Sequence, residues 1–194
     1  MTQIIPKPYW YLRHGETDWN ARGLAQGRTD IPLNETGIAQ AVRAGQTLAA
    51  LFQNNERPFS RIVSSPLSRA FVTATHVRDE IDRLAGVRLP LEIEEDLSEV
   101  CFGIHEGTPM GHWYHDWIEA GTPLENGESF ETLTHRAITT VNASLACEGT
   151  PLFVAHGALF RGLRAGMNLS VNERLANAAP IRIQPDNKNW IINF

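Results

Sequence analysis

"YWYLRHGETDWN", residues 9–20, begins with four bulky apolar or aromatic residues and turns polar at Arg13 and His14. The first four predict a buried strand. The break puts a cation and an imidazole side by side at its carboxyl end. Two later runs break in the same way. "RIVSS" (61–65) reads as a strand and leads into "PLSR", and "PLFVA" (151–155) leads into His156 and Gly157. Between them lie helical patterns. One spans 38–52, with Asn34 as a candidate N-cap, and a second spans 67–84, just after Pro66. Two more cover 129–146 and 158–167. "LEI" (91–93) is a weak strand, and 181–183 and 190–193 form a closing pair around the turn "PDNKN". From 97 to 128 the alternation fails; the segment is rich in Gly, His and Trp, with one short helix at 112–120.

Strands alternating with helices predict a three-layer α/β/α sandwich with a mostly parallel central sheet. The chain is expected to form one domain over 1–194, with a substrate-covering segment at about 100–127. Ligands of such sheets bind at the carboxyl ends of the strands. Neighbouring parallel strands would therefore gather Arg13, His14, Arg69 and His156 at one edge. Two guanidiniums and two imidazoles suit a tetrahedral dianion, and a neutral imidazole can attack phosphorus in line.

The rest of the composition narrows the class. The chain has 194 residues and a net charge of -5, with 17 Lys+Arg against 22 Asp+Glu. This disfavours nucleic acid or an anionic membrane as partner. Cys101 and Cys147 give neither a disulfide framework nor a metal spacing. The N-terminal residues show no signal-peptide pattern, and no apolar stretch is long enough to span a bilayer, so a cytoplasmic protein is expected.

Four blocks in order, "LRHGETDWN", "SSPLSRA", "LSEVCFGIHEG" and "VAHG", resemble the histidine phosphatase superfamily, the phosphoglycerate-mutase-like proteins. The resemblance implies their fold and a metal-independent reaction through phosphohistidine, with no cofactor. It makes His14 the nucleophile, Arg13 and Arg69 the phosphate clamps, His156 the second phosphoryl-binding histidine, Asn20 a phosphate contact and Glu99 the proton donor. Val100, Cys101 and Phe102 flank Glu99, and an apolar surrounding is expected to favour its protonated form.

Plainer readings exist. His14 could bond a loop carbonyl, Arg69 could lie on an exposed helix face, and Asn20 could only shape a turn. Gln26 is assigned to substrate or to its own loop, Arg22 to the surface, and Arg28 to either. His105 stands where relatives commonly carry Trp; it is read as a substrate-side group or an extra acid. His112 and His115 are three apart, as two metal ligands on a helix would be, but a polar aromatic loop is the commoner explanation and no metal is expected. His76 and His135 are read as surface or packing residues. Trp113 and Trp117 suit either a pocket wall or the core.

The expected activity is hydrolysis of a small phosphorylated metabolite. Between Glu99 and His156 there is little room for the long insertion with which a mutase excludes water from phosphohistidine. Phosphoglycerate mutase activity, a protein phosphatase and a non-catalytic phosphate-binding regulator are the alternatives. Substrate and oligomeric state are not legible.

Overall fold

The run at 9–12 forms the centre of a six-stranded sheet in the computed structural model, which describes residues 3–53, 57–187 and 189–193. Strand β1 (Tyr9–Arg13) lies between β4 (Pro151–Ala155) and β5 (Pro180–Asp186). Beyond β4 come β2 (Arg61–Ser64) and β3 (Leu91–Ile93), and beyond β5 comes β6 (Asn189–Asn193). The first four strands run parallel, while β5 is antiparallel to both β1 and β6. The sheet is thus mostly parallel with an antiparallel closing pair, as the sequence implies. Lys188, within the expected turn, lies outside the described residues.

Alternating side chains of the strands feed two cores. On one face Leu12, Ile62, Leu152 and Val154 pack beneath α2 (Glu35–Gln53) and α3 (Ser68–Ala85). On the other, Tyr9, Tyr11, Val63 and Phe153 pack beneath α5 (Phe130–Ala146) and α6 (Gly157–Gly166). Each long helix carries an apolar stripe facing the sheet, which is what makes a three-layer arrangement stable. Asn34 does cap α2: its Oδ1 accepts from the Gly37 N–H at 2.8 Å. Ser129 caps α5 by accepting from the Thr132 N–H at 3.0 Å.

The irregular segment contains α4 (His112–Glu119), as expected, and is held firmly. Trp117 is fully buried, meets Phe102 and Phe130 edge-on, and donates to the Glu128 carbonyl at 2.9 Å. The choice between pocket and core is settled for Trp117 in favour of the core. The segment also exchanges main-chain bonds with residues 23–25, among them Ala25 N–H to Thr108 O at 2.9 Å and Gly107 N–H to Ala25 O at 2.8 Å. Among the described residues no helix is long and apolar enough to cross a membrane.

Candidate active site

Register brings the three strand ends together. Arg13 pairs with Ala155, and Ser64 with Val154, so the polar residues that follow lie side by side at the carboxyl edge. The His14 N–H continues the β1 ladder by donating to Ala155 O at 3.0 Å. There the chain turns, and Gly15 passes so close to Gly37 that a Cβ on either would strike the opposing main chain. This approach pins the turn against the first turn of α2. Gly15 N–H donates to Thr73 Oγ1 at 3.0 Å, which ties the turn to α3 as well.

The His14 ring is 2% exposed, and its Nδ1 lies 2.7 Å from Gly15 O. A carbonyl only accepts, so Nδ1 carries the proton and Nε2 keeps its lone pair. His156 is fully buried, with its ring centroid 5.2 Å from that of His14. Its Nε2 is 2.7 Å from Ser65 Oγ, which already accepts from Leu67 N–H at 3.3 Å. The hydroxyl proton is therefore free to go to Nε2, leaving the proton of His156 on Nδ1. Tyr11 steadies the backbone here: its hydroxyl donates to His156 O at 2.8 Å and accepts from His156 N–H at 3.1 Å.

Arg69 is fully buried on the first turn of α3, not on an exposed helix face. It donates to Gly27 O at 2.7 Å and Thr29 O at 2.9 Å. The loop carrying those carbonyls is in turn held by Glu106, which accepts from the N–H groups of Arg28 at 3.0 Å, Thr29 at 2.9 Å and Phe102 at 3.1 Å. Arg13 donates to Leu175 O at 2.8 Å, and its guanidinium lies against Gly157, where a Cβ would come within 3.3 Å of Nε. Burial and the positive charge of Arg174 pull Arg13 down to about 10, so it stays charged at neutral pH.

Glu99 departs from expectation. Val100 and Phe102 turn into the core, and the carboxylate lies instead on the start of α6. It accepts from the N–H groups of Val100 at 3.1 Å, Ala158 at 3.0 Å and Leu159 at 2.9 Å. Free donors at a helix N-terminus are natural partners of a carboxylate. Arg136 fixes the backbone leading to Glu99 by donating to Asp96 O at 2.6 Å and Ser98 O at 2.8 Å, while it pairs with Glu128 at 2.9 Å.

A cavity of about 200 Å³ opens on this edge, lined by Arg13, His14, Asn20, Gln26, Arg69 and Glu99 among others. Asn20 belongs to a short helix, α1 (Asp18–Ala21), whose capping box with Thr17 leaves Asn20 Oδ1 also accepting from Asn177 at 3.2 Å. Gln26 accepts from Thr17 Oγ1 at 2.9 Å. His105 does not line the cavity. Its ring stacks on Trp113 at 4.2 Å and 9°. From the segment at 100–127, Phe102, Met110, Tyr114 and His115 line the cavity. Among the described residues no group of three or more His, Cys, Asp or Glu could hold a metal ion.

Over residues 9–193 the chain matches the family model described as histidine phosphatase superfamily (branch 1). The chain belongs to the histidine phosphatase superfamily. Within it, the chain is 33% identical over 188 residues to the uncharacterised phosphatase PhoE of Bacillus subtilis, covering 93% of this chain and 90% of that protein. It is 30% identical over 181 residues to a 2,3-bisphosphoglycerate-dependent phosphoglycerate mutase of Rhizobium etli, covering 87% and 84%. A solved structure of a mycobacterial glucosyl-3-phosphoglycerate phosphatase complexed with VO3 superposes with a TM-score of 0.78 at 26% identity, over 97% of this chain and 98% of that one. The superfamily thus includes phosphatases and mutases similar to this chain.

The two imidazoles of this superfamily member share one electrostatic setting. Burial lowers both well below 6.5, and the charges of Arg69 and Arg13 lower them further. Both are neutral at neutral pH. An unfolded chain protonates its imidazoles near 6.5, whereas these resist, so acid favours unfolding. Their contribution is complete above about pH 6.5 and is lost as pH falls towards the folded values. The thermal midpoint is expected to decline from about pH 7 to about pH 5. A midpoint that stays level across this window would contradict the burial of uncharged imidazoles.

Proposed function

We propose that the protein is a metal-independent phosphomonoesterase acting on a small phosphorylated metabolite through a phosphohistidine. One observation carries the reading. Among the described residues, four buried side-chain nitrogen or oxygen atoms have no hydrogen-bond partner, and three of them are Arg13 Nε, Arg69 Nε and His156 Nδ1. Buried donors are normally satisfied. Three orphaned donors around one neutral imidazole suit a group with several equivalent acceptor oxygens, and a phosphoryl group is one.

In this reading His14 Nε2 attacks phosphorus as the ester P–O bond breaks. Glu99 enters the step carrying a proton, gives it to the leaving alkoxide and becomes the carboxylate. Water then attacks the phosphohistidine, Glu99 takes the proton back, and phosphate leaves with His14 restored. The net change is ester plus water to alcohol plus phosphate. Arg13, Arg69 and His156 oppose the charge that spreads over the equatorial oxygens. Two guanidiniums supply the charge that a metal would otherwise bring, and the relatives named phosphatases support hydrolysis. The free thiols of Cys101 and Cys147 accord with a reducing cytoplasm.

The purified protein is expected to release phosphate from p-nitrophenyl phosphate with EDTA present. Complete loss of activity in EDTA would defeat the metal-free route. Interconversion of phosphoglycerates without net phosphate release would replace the hydrolase reading with the mutase one.

A further inference from the structure

The loop that leads into β5 returns to the strand end carrying Arg13 and His14. Arg13 donates to Leu175 O at 2.8 Å, and Ala178 N–H donates to Arg13 O at 2.9 Å. Between them, the Asn177 side chain donates to His14 O at 2.9 Å. Ala178 takes a φ of 49°, in the left-handed region that residues with a Cβ seldom adopt. Such strain persists only where the surroundings fix it, and it gathers at functional sites. Beside this strained residue, two consecutive residues offer donors to two consecutive carbonyls of the nucleophile turn.

We infer that Asn177 is a positioning residue: it fixes the side-chain amide of Asn20 so that the Asn20 NH2 is turned to the phosphoryl group. The inference rests on the phosphomonoesterase reading for where that group sits. A chain of donors and acceptors carries it. A carbonyl only accepts, so the Asn177 group against His14 O is its NH2. The second proton of that NH2 goes to Asn20 Oδ1 at 3.2 Å. Thr17 N–H can only donate, and it meets the same oxygen at 3.3 Å. Asn20 Oδ1 is thus held from two sides, and inverting the amide would set its NH2 against two donors. The Asn20 NH2 has no acceptor in the chain among the described residues, yet Asn20 lines the cavity with Arg13, His14 and Arg69. Two donor protons on that wall suit phosphoryl oxygens, whereas an inverted amide would show them a lone pair. Asn177 is half-buried and stands behind the wall rather than on it, so it acts through Asn20.

The test is a double-mutant cycle with p-nitrophenyl phosphate. Asn20→Ala is expected to lower kcat/KM by about tenfold or more, and Asn177→Ala by about three- to tenfold. The double variant should fall clearly short of the product of the two losses, because Asn177 has nothing to orient once the Asn20 amide is gone. Both side chains are half-buried, so both variants are expected to fold. A mere brace would lower the thermal midpoint and leave the losses multiplicative. Fully multiplicative losses overturn the inference, as does an Asn177→Ala protein with unchanged kcat/KM. Proton–nitrogen NMR spectra give a readout free of turnover. The Asn20 NH2 signals, identified by their absence from Asn20→Ala, are expected to shift as inorganic phosphate is added. If p-nitrophenyl phosphate proves inert, the phosphatase reading fails and the spectra alone judge Asn177. A shift that Asn177→Ala reduces while the His14 ring still responds then sustains the inference. No shift in the wild type, a shift unchanged in Asn177→Ala, or a loss shared by the His14 ring ends it.

Discussion

His14→Ala is expected to lower phosphomonoester turnover by about 10^3-fold or more and to abolish the acid-labile phosphoenzyme. Among the described residues His115 also lies on the cavity wall, but only His156 stands beside His14 at the strand ends. His156 is the nearest imidazole, but its Nε2 is engaged by Ser65 Oγ and its proton is on Nδ1. The Gly15 carbonyl orients His14 through Nδ1, and burial, helped by the neighbouring guanidiniums, keeps the ring neutral. Alanine removes the nucleophile while leaving Arg13, Arg69 and His156 to bind phosphate. Phosphate should therefore still bind, and the variant should still fold, since the pinned turn depends on Gly15 and Gly37 rather than on the ring. Rapid-quench labelling with a radiolabelled substrate decides the matter. A phosphoenzyme persisting in His14→Ala would move the nucleophile elsewhere.

Glu99→Gln is expected to slow hydrolysis of alkyl phosphates by about 10^2- to 10^4-fold. The loss should be much smaller for phosphohistidine formation from p-nitrophenyl phosphate, whose leaving group departs without a proton. The discrimination matters because Glu99 also has a structural task. Its carboxylate accepts from three main-chain N–H groups, two of them on the first turn of α6. An amide keeps one acceptor oxygen but would turn an NH2 towards a donor. Some destabilisation will follow, and it would depress all substrates alike. Only a proton-transfer role makes the damage depend on the leaving group. Equal loss for alkyl and nitrophenyl esters would leave Glu99 as a brace for α6.

Arg13, His14 and His156 were legible because each stands where a buried apolar run stops, and parallel neighbours align their ends. Arg69 was legible one turn after such an end. The geometry around Glu99 was not. Its sequence neighbours are apolar, but in an irregular segment successive side chains diverge, so Val100 and Phe102 go to the core while Glu99 meets α6. The same lack of periodicity misplaced His105. A tripeptide within such a segment does not say which way a ring points, and Trp113 offered a flat face to stack on. Ser65, Glu106 and Arg136 went unassigned, since their work is done through carbonyls, N–H groups and imidazoles distant in sequence.

The position of β1 between β4 and β5 has a consequence for biosynthesis. The strand bearing Arg13 and His14 leaves the ribosome before the other described strands, yet its neighbours β4 and β5 follow only after β2 and β3. During most of translation β1 has two unpaired edges, and Arg13 and His14 have no Ala155, Leu175 or Ala178 to bond. Such late, long-range pairing slows folding and leaves a bare apolar strand open to association. The nascent chain assembles the edge around Arg13 and His14 in one late event, when β4 and β5 insert on either side of β1.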